Sequence, residues 1–257
     1  MTSSTLFSLR DGLREGRPLF GAWAAMGSPF SAEIMCSARP DYVCIDQQHG
    51  LADYEQFLHM LRAIEAFGVA PLTRVLHNDR ALIGKALDAG AQGVIVPMVN
   101  SAEEAALAAS ACRYPPRGVR SFGPTRAALT LGSADVEALG RNALCLVMIE
   151  TRQGLENIEE IVRAPGIDGV YVGPADLALG LGLKPGLETS DPEHDEAIEL
   201  ILKTCLENGL IAGIQCGSGK AAYRMAQRGF RVVTFAKDST LVATGISQEL
   251  AMAKGKK

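Results

Sequence analysis

CLVMIET, residues 145–151, and GVYVGPAD, residues 169–176, decide how this chain reads. Each opens as a short, almost wholly apolar run, the pattern of a strand buried on both faces in a parallel sheet. Each closes on a carboxylate, Glu150 in the first and Asp176 in the second. A charge at the tip of a buried strand is costly without a partner, and a divalent cation suits carboxylate oxygens. If the two runs are consecutive strands, both side chains converge at one mouth of one sheet.

Six further runs of the same kind lie outward from this pair. They are LFGAWAAM (19–26), YVCID (42–46), APLTRV (70–75), GVIVPMV (93–99), IAGIQC (211–216) and VVTFAK (232–237). Helix-like segments separate them, such as DYEQFLHMLRAIEAFG after YVCID and SAEEAALAASACR after GVIVPMV. Gly68, Gly90, Gly209 and Gly229 follow their helices, where a left-handed cap is wanted. Strict alternation with both sheet faces buried predicts a parallel sheet, and eight repeats predict a (β/α)8 TIM barrel rather than an open doubly wound sheet. No linker divides residues 1–257, so the expectation is one α/β domain. Two Gly/Pro-rich excursions, 114–133 and 179–194, are longer than ordinary turns and suggest a rim or a subunit contact.

Composition narrows the function. The 257 residues are 47% hydrophobic and 21% charged, enough apolar mass for a substantial core. A net charge of −4 without a basic patch argues against nucleic acid as a partner. No basic-then-apolar leader opens the chain, and no apolar run approaches the roughly 18 residues of a membrane span. The six cysteines, at 36, 44, 112, 145, 205 and 216, form no CxxC pair. Cys44, Cys145 and Cys216 fall in strand runs, as reduced core thiols of a cytoplasmic protein do.

Catalytic groups on a (β/α)8 barrel lie at the C-terminal strand ends. Those ends carry Trp23, then Asp46-Gln47-Gln48-His49-Gly50, Arg74, Glu150, Gly173-Pro174-Ala175-Asp176 and Lys237-Asp238. Glu150 and Asp176 make a sparse oxygen site suited to Mg²⁺ or Mn²⁺, with room for water and a chelating substrate. The competing reading is an ion pair of one carboxylate with Arg152 or Arg74. His49 is the one histidine of four at a strand end. Beside Asp46 its imidazole fits a general base, although a surface or capping histidine fits the pattern too. Arg74 suits an oxyanion or a carboxylate, or a salt bridge to Asp46 or Glu150. Gly173 and Ala175 can offer backbone amides to a small anion, with Pro174 between them. Lys237 presents a rival chemistry, a Schiff base with a ketone, against a simply solvated lysine.

GAWAAMGSP, DYVCIDQQHG, TRV, LDAGAQGVIVPMV, MIET and GVYVGPADLALGLG occur in that order. With these motifs, the chain resembles, over about residues 5–250, the HpcH/HpaI family of class II pyruvate aldolases. The resemblance implies a barrel, a homohexamer whose last helix is exchanged between subunits, and a divalent metal cofactor (Mg²⁺, Mn²⁺ or Co²⁺). It implies Glu150 and Asp176 as metal ligands, His49 as base aided by Asp46, and Arg74 as enolate stabiliser. Asp88 matches an aspartate that a neighbouring subunit sends to the histidine. Ala175 and Asp176 match positions at the pyruvate carboxylate, and Trp23, Gly173 and Pro174 complete the expected substrate pocket. The expected substrates are a 2-oxo acid, pyruvate or hydroxypyruvate, and an aldehyde. A CoA-ester lyase of the citrate lyase β or malyl-CoA type is the alternative, though no extra segment for CoA is evident. Two positions depart from the family pattern, Gln48 in place of a frequent Glu and Met148 in place of a frequent Gln. RSFGPTR (120–126) is expected to rim the aldehyde pocket.

Overall fold

Eight strands close a barrel: β1 (Leu19–Ala24), β2 (Tyr42–Asp46), β3 (Ala70–Arg74), β4 (Gly93–Val96), β5 (Leu144–Ile149), β6 (Gly169–Val172), β7 (Ile211–Gln215) and β8 (Val232–Lys237). Every strand pairs in parallel with its sequence neighbour, and β8 returns to β1. The computed structural model describes residues 6–255. Short helix α1 (Leu9–Arg14) precedes the barrel. Its Leu9 joins Leu19, Leu144 and Val232, which begin their strands, so α1 covers the N-terminal mouth. Helices α2 (Pro29–Ser37), α3 (Tyr54–Ala66) and α4 (Arg80–Asp88) follow β1 to β3. Between β4 and β5 lie α5 (Ala102–Ala111), α6 (Ala127–Leu131) and α7 (Val136–Asn142), and between β5 and β6 lie α8 (Arg152–Glu156) and α9 (Ile158–Ile161). The chain continues through α10 (Pro174–Gly180), α11 (Pro192–Glu207), α12 (Gly219–Arg228) and α13 (Asp238–Ala253).

Local chemistry sets the helix starts. Ser28, Asp79, Ser101, Thr151, Asp191 and Ser218 each accept a hydrogen bond from an amide of the first turn, and Asp53 forms a capping box with Gln56. The strands divide their side chains by alternation. Trp23, Cys44, Leu72, Ile95, Leu146, Met148 and Tyr171 fill the barrel, while Ile45, Val94, Val96, Val147, Ile149 and Val172 lie under the helices. The Tyr42 and Tyr171 hydroxyls meet the Thr234 hydroxyl at 3.0 and 2.7 Å, so this polar layer of the interior is satisfied internally. Gly21 makes room for it, because a Cβ there would lie 2.2 Å from the Tyr42 ring.

Chain direction places the two excursions at opposite ends. Helices of a barrel run back to the N-terminal mouth, so residues 114–133, which follow α5, stay there. Arg120 pairs with Asp88 at 2.6 Å, the Arg126 amide donates to the Asp88 carbonyl, and the Arg126 guanidinium reaches Glu65. RSFGPTR therefore lies away from the strand-end pocket of its own chain. The second excursion follows α10 on the C-terminal side, where Glu188 accepts from Ser218 at 2.9 Å and pairs with Arg224 at 3.1 Å. It ends earlier than expected, because His194 lies inside α11 and is buried.

Candidate active site

Asp46 and Arg74 are register partners at the ends of β2 and β3, both facing the interior. Arg74 donates Nε to Asp46 Oδ1 at 2.9 Å and Nη2 to Oδ2 at 2.7 Å, a two-pronged ion pair. Trp23 Nε1 donates to Oδ2 at 3.1 Å, and the amides of Gln48 and His49 donate to Oδ1 at 3.1 and 3.3 Å. Burial works against ionisation of Asp46, but the Arg74 hydrogen bonds and charge outweigh it and hold the carboxyl below its usual range. The carboxylate is thus spent on Arg74, Trp23 and two amides, and its link to His49 runs through the His49 backbone. The Arg74 guanidinium also lies 5.1 Å from the Trp23 ring, which stacks on Tyr171 at 5.9 Å. Of the alternatives open for Arg74, the structure takes Asp46.

Glu150 is the opposite case. It stands one residue beyond β5 and is 1% exposed, as Asp46 is. The Met98 amide donates to its Oε1 at 2.7 Å, while its Oε2 is buried with no hydrogen-bond partner. Met98 holds that donor in the left-handed region, with φ of 57°. Burial raises the Glu150 carboxyl to about 7, and the charge of neighbouring Asp176 pushes the same way. Gly173 leaves the space open beside Oε2, because a Cβ there would lie 2.5 Å from that oxygen. Arg152 pairs with Glu193 and donates to the Leu181 carbonyl, so it is not the partner of Glu150. A bare buried oxygen, a second carboxylate close by and an open cradle fit a hard divalent cation. Among the described residues no group of three or more His, Cys, Asp and Glu forms a denser metal cluster.

Asp176 lies in the first turn of α10 rather than on β6 itself. Pro174 opens that helix after Gly173, and Ala175 is half-buried. His194 holds this turn from outside. The Pro174 carbonyl can only accept, so His194 Nε2 donates to it at 2.8 Å, and Nδ1 accepts from the Thr189 hydroxyl at 2.8 Å. His49 is exposed at the mouth. Gln48 leaves its Oε1 buried without a donor, and the Met148 methyl lies under Gly173, offering no hydrogen bond where a glutamine would. Asp88 ends α4, at the opposite mouth from Glu150, so the structure does not bring it to its own chain's site. A cavity of about 270 Å³ at that far mouth, lined by Arg10, Arg113 and Arg141, is separate from these groups.

Four contributors escaped the sequence reading. Met98 had no signal, since its role needs a left-handed backbone at a strand exit. His194 and Thr189 are far apart from Asp176 in sequence. Asp238, given no role of its own beside Lys237 in the sequence, is 3% exposed and accepts from the amides of Ala25, Met26 and Ser239. The six cysteines are buried and unpaired, as expected, and no described helix is long and apolar enough to cross a membrane.

Comparison with known proteins gives a consistent result. The HpcH/HpaI aldolase/citrate lyase model matches residues 19–244. A hydroxypyruvate/pyruvate aldolase of Rhizorhabdus wittichii is 42% identical over 240 residues, 93% of this chain and 96% of that protein. A 4-hydroxy-2-oxo-heptane-1,7-dioate aldolase of Klebsiella pneumoniae is 37% identical over 241 residues, 93% of this chain and 90% of its own. The crystal structure of an HpcH/HpaI family protein from Burkholderia cenocepacia aligns with a TM-score of 0.88 at 30% identity, covering 96% of this chain and 98% of that one.

Proposed function

The chain belongs to the HpcH/HpaI aldolase/citrate lyase family, a carbon–carbon lyase of the class II aldolase kind, and from that premise we propose how its own residues divide the work. Glu150 and Asp176 hold the divalent cation, Mg²⁺, Mn²⁺ or Co²⁺. The substrate is a 4-hydroxy-2-oxo acid, cleaved reversibly to pyruvate or hydroxypyruvate and an aldehyde. The observation that carries this reading is the buried, unpartnered Oε2 of Glu150 beside Asp176. When bound, the cation supplies Lewis-acid polarisation of the 2-oxo acid.

The other groups follow from their placement. Arg74, locked by Asp46 with Trp23 against it, offers a fixed positive charge to the oxygen on which negative charge develops. Locking removes the cost of reorganising that charge during reaction. His49 moves the proton, taking it from the C4 hydroxyl in cleavage and from C3 of the oxo acid in synthesis. Asp46 sets the position of His49 through its amide. The amides of Ala175 and Asp176, at the start of α10, receive the substrate carboxylate, with Gly173 and Pro174 shaping the turn.

A hexamer is the assembly this reading expects. The side chains of α13 are almost all exposed, among them Leu241, Val242, Ile246, Leu250 and Met252, which suits a helix exchanged with a neighbouring subunit. Asp88, at the far mouth, suits service to a neighbour's histidine rather than its own. A cytoplasmic site of action accords with six unpaired cysteines.

The test is deuterium exchange at C3 of pyruvate without aldehyde, followed by NMR. Exchange should require added Mg²⁺ or Mn²⁺ and stop on exhaustive chelation. Exchange that survives chelation would overturn the assignment of the two carboxylates. The same protein should not turn over CoA esters.

A further inference from the structure

The interior face of β8 is not continuous. The register with β1 runs Gly21 to Thr234, then Ala22 to Ala236 and Trp23 to Lys237, so Phe235 is an extra residue. Such a bulge reverses the alternation beyond it and commonly re-aims a side chain near a site. Without the bulge, Thr234 inward would put Lys237 outward. With it, Lys237 shares the inward face of its register partner Trp23, whose indole hydrogen-bonds Asp46.

The backbone at this point is pinned. Asp238 is buried and accepts from the amides of Ala25 and Met26 at 3.0 to 3.1 Å, tying the end of β8 to the exit of β1. Three carboxylates on this side of the barrel mouth are already committed. Asp238 serves those amides, Asp46 serves Arg74, and Glu188 serves Ser218 and Arg224. Lys237 is half-buried as a residue, and its ammonium has no ion-pair partner among the described residues. A cation at a reaction mouth, on a fixed backbone and without a counter-ion, is a site for an anion that arrives with the substrate.

Its place in the ring says which part of the substrate. β8 lies between β7 and β1, two strands from β6, where the 2-oxo acid carboxylate is received, and next to β1, whose Trp23 hydrogen-bonds Asp46. Asp46 also accepts from the amide of His49, the group assigned to the C4 hydroxyl, so Lys237 stands on the C4 side of the site, toward the aldehyde half of the substrate. We infer that Lys237 is a specificity-determining residue that binds an anionic group, carboxylate or phosphate, on the aldehyde half of the substrate. This rests on the aldolase reading above, and it excludes a Schiff-base role for Lys237.

The decisive measurement is kcat/KM for aldol addition of pyruvate to three acceptors by the Mn²⁺-loaded full-length protein. The acceptors are succinic semialdehyde, glyceraldehyde 3-phosphate and the neutral butyraldehyde. Wild type should prefer at least one anionic acceptor over the neutral one. Lys237→Met should lower that preference by about tenfold or more, mainly through KM, and Lys237→Arg should retain it. A response with the carboxylate alone or the phosphate alone names the source of the anion. Unchanged preference in folded Lys237→Met for both anions overturns the proposal. If Lys237→Met does not fold, Lys237→Gln takes its place with the same criterion. Borohydride trapping of a pyruvate adduct on Lys237 would also overturn it. Pyruvate exchange by the wild type, measured separately, fails only if the aldolase reading itself fails.

Discussion

Asp46 and Glu150 are two carboxylates with the same 1% exposure at strand ends of one barrel, and they have opposite characters. Asp46 receives five hydrogen bonds, two of them from a guanidinium, and is held below the usual carboxylate range. Glu150 receives one, from a backbone amide, and is raised to about 7. Burial penalises both, and only the supply of donors differs. A saturated carboxylate is a structural part that aims Arg74. An unsaturated one is, in the proposed reading, an incomplete coordination shell.

The largest effects should come from removing either charge, with opposite consequences for stability. Glu150→Gln should abolish cation-dependent turnover, well beyond the ~10²-fold cost of losing an outer partner of a metal ligand. Without cation the same variant should be as stable as wild type at pH 8 or more so, by urea denaturation, because it removes an uncompensated buried charge. Asp46→Asn leaves the buried Arg74 without its counter-ion and should cost about 3–5 kcal/mol in that assay. If the two variants were equally destabilised, the contrast between the sites would be lost.

His49→Ala should slow pyruvate C3 exchange by ~10²-fold or more while leaving Mn²⁺ affinity near that of wild type. Loss of Mn²⁺ binding in this variant would move His49 into the metal shell. The pH response sharpens the comparison further. A carboxyl raised from 4.5 to about 7 keeps in the folded protein a proton that the unfolded chain releases, so metal-free stability falls as pH rises through that window. A bound cation relieves the same penalty. The gain in Tm on adding Mn²⁺ should therefore be larger at pH 8 than at pH 5.5. Asp46 has the reverse sign, its contribution being present near neutrality and lost only as pH falls below the ordinary carboxylate range. The smallest effect should be that of Met98→Gly. It relieves the left-handed backbone but loosens the amide that holds Glu150 Oε1, so Mn²⁺ affinity should fall several-fold with little change in Tm.

Much of the barrel was legible because doubly buried strands must be continuous apolar runs, and CLVMIE or GVYV leaves few other readings. The strand ends were read a residue or more too long in β1 and β3 to β7, since a loop that stays buried near a mouth keeps an apolar composition. The β4 run is the clearest case, with strand pairing ending at Val96 although the apolar run continues to Val99. Glu150, Asp176, Asp46, His49 and Arg74 were all visible as polar residues at the tips of apolar runs. Their pairing was not, because several carboxylates were within reach of each arginine in sequence terms.

The two excursions show the same boundary. Both read as Gly- and Pro-rich interruptions, and composition is silent on which mouth each occupies. Chain direction alone sends 114–133 to the far end beside Asp88 and keeps 179–191 near Asp176. The bulge at Phe235 is likewise invisible in VVTFAK, yet it turns Lys237 into the mouth.

By itself, the order of amino acids determined the alternation of strands and helices, the apolar core and the row of chemical groups along one rim, because burial periodicity and strand termini are local properties. Only the folded chain decided which carboxylate is neutralised and which is left bare, and which way Lys237 turns. Those outcomes depend on donors brought together from distant strands and on register between neighbours, and neither quantity is written in any single stretch of residues.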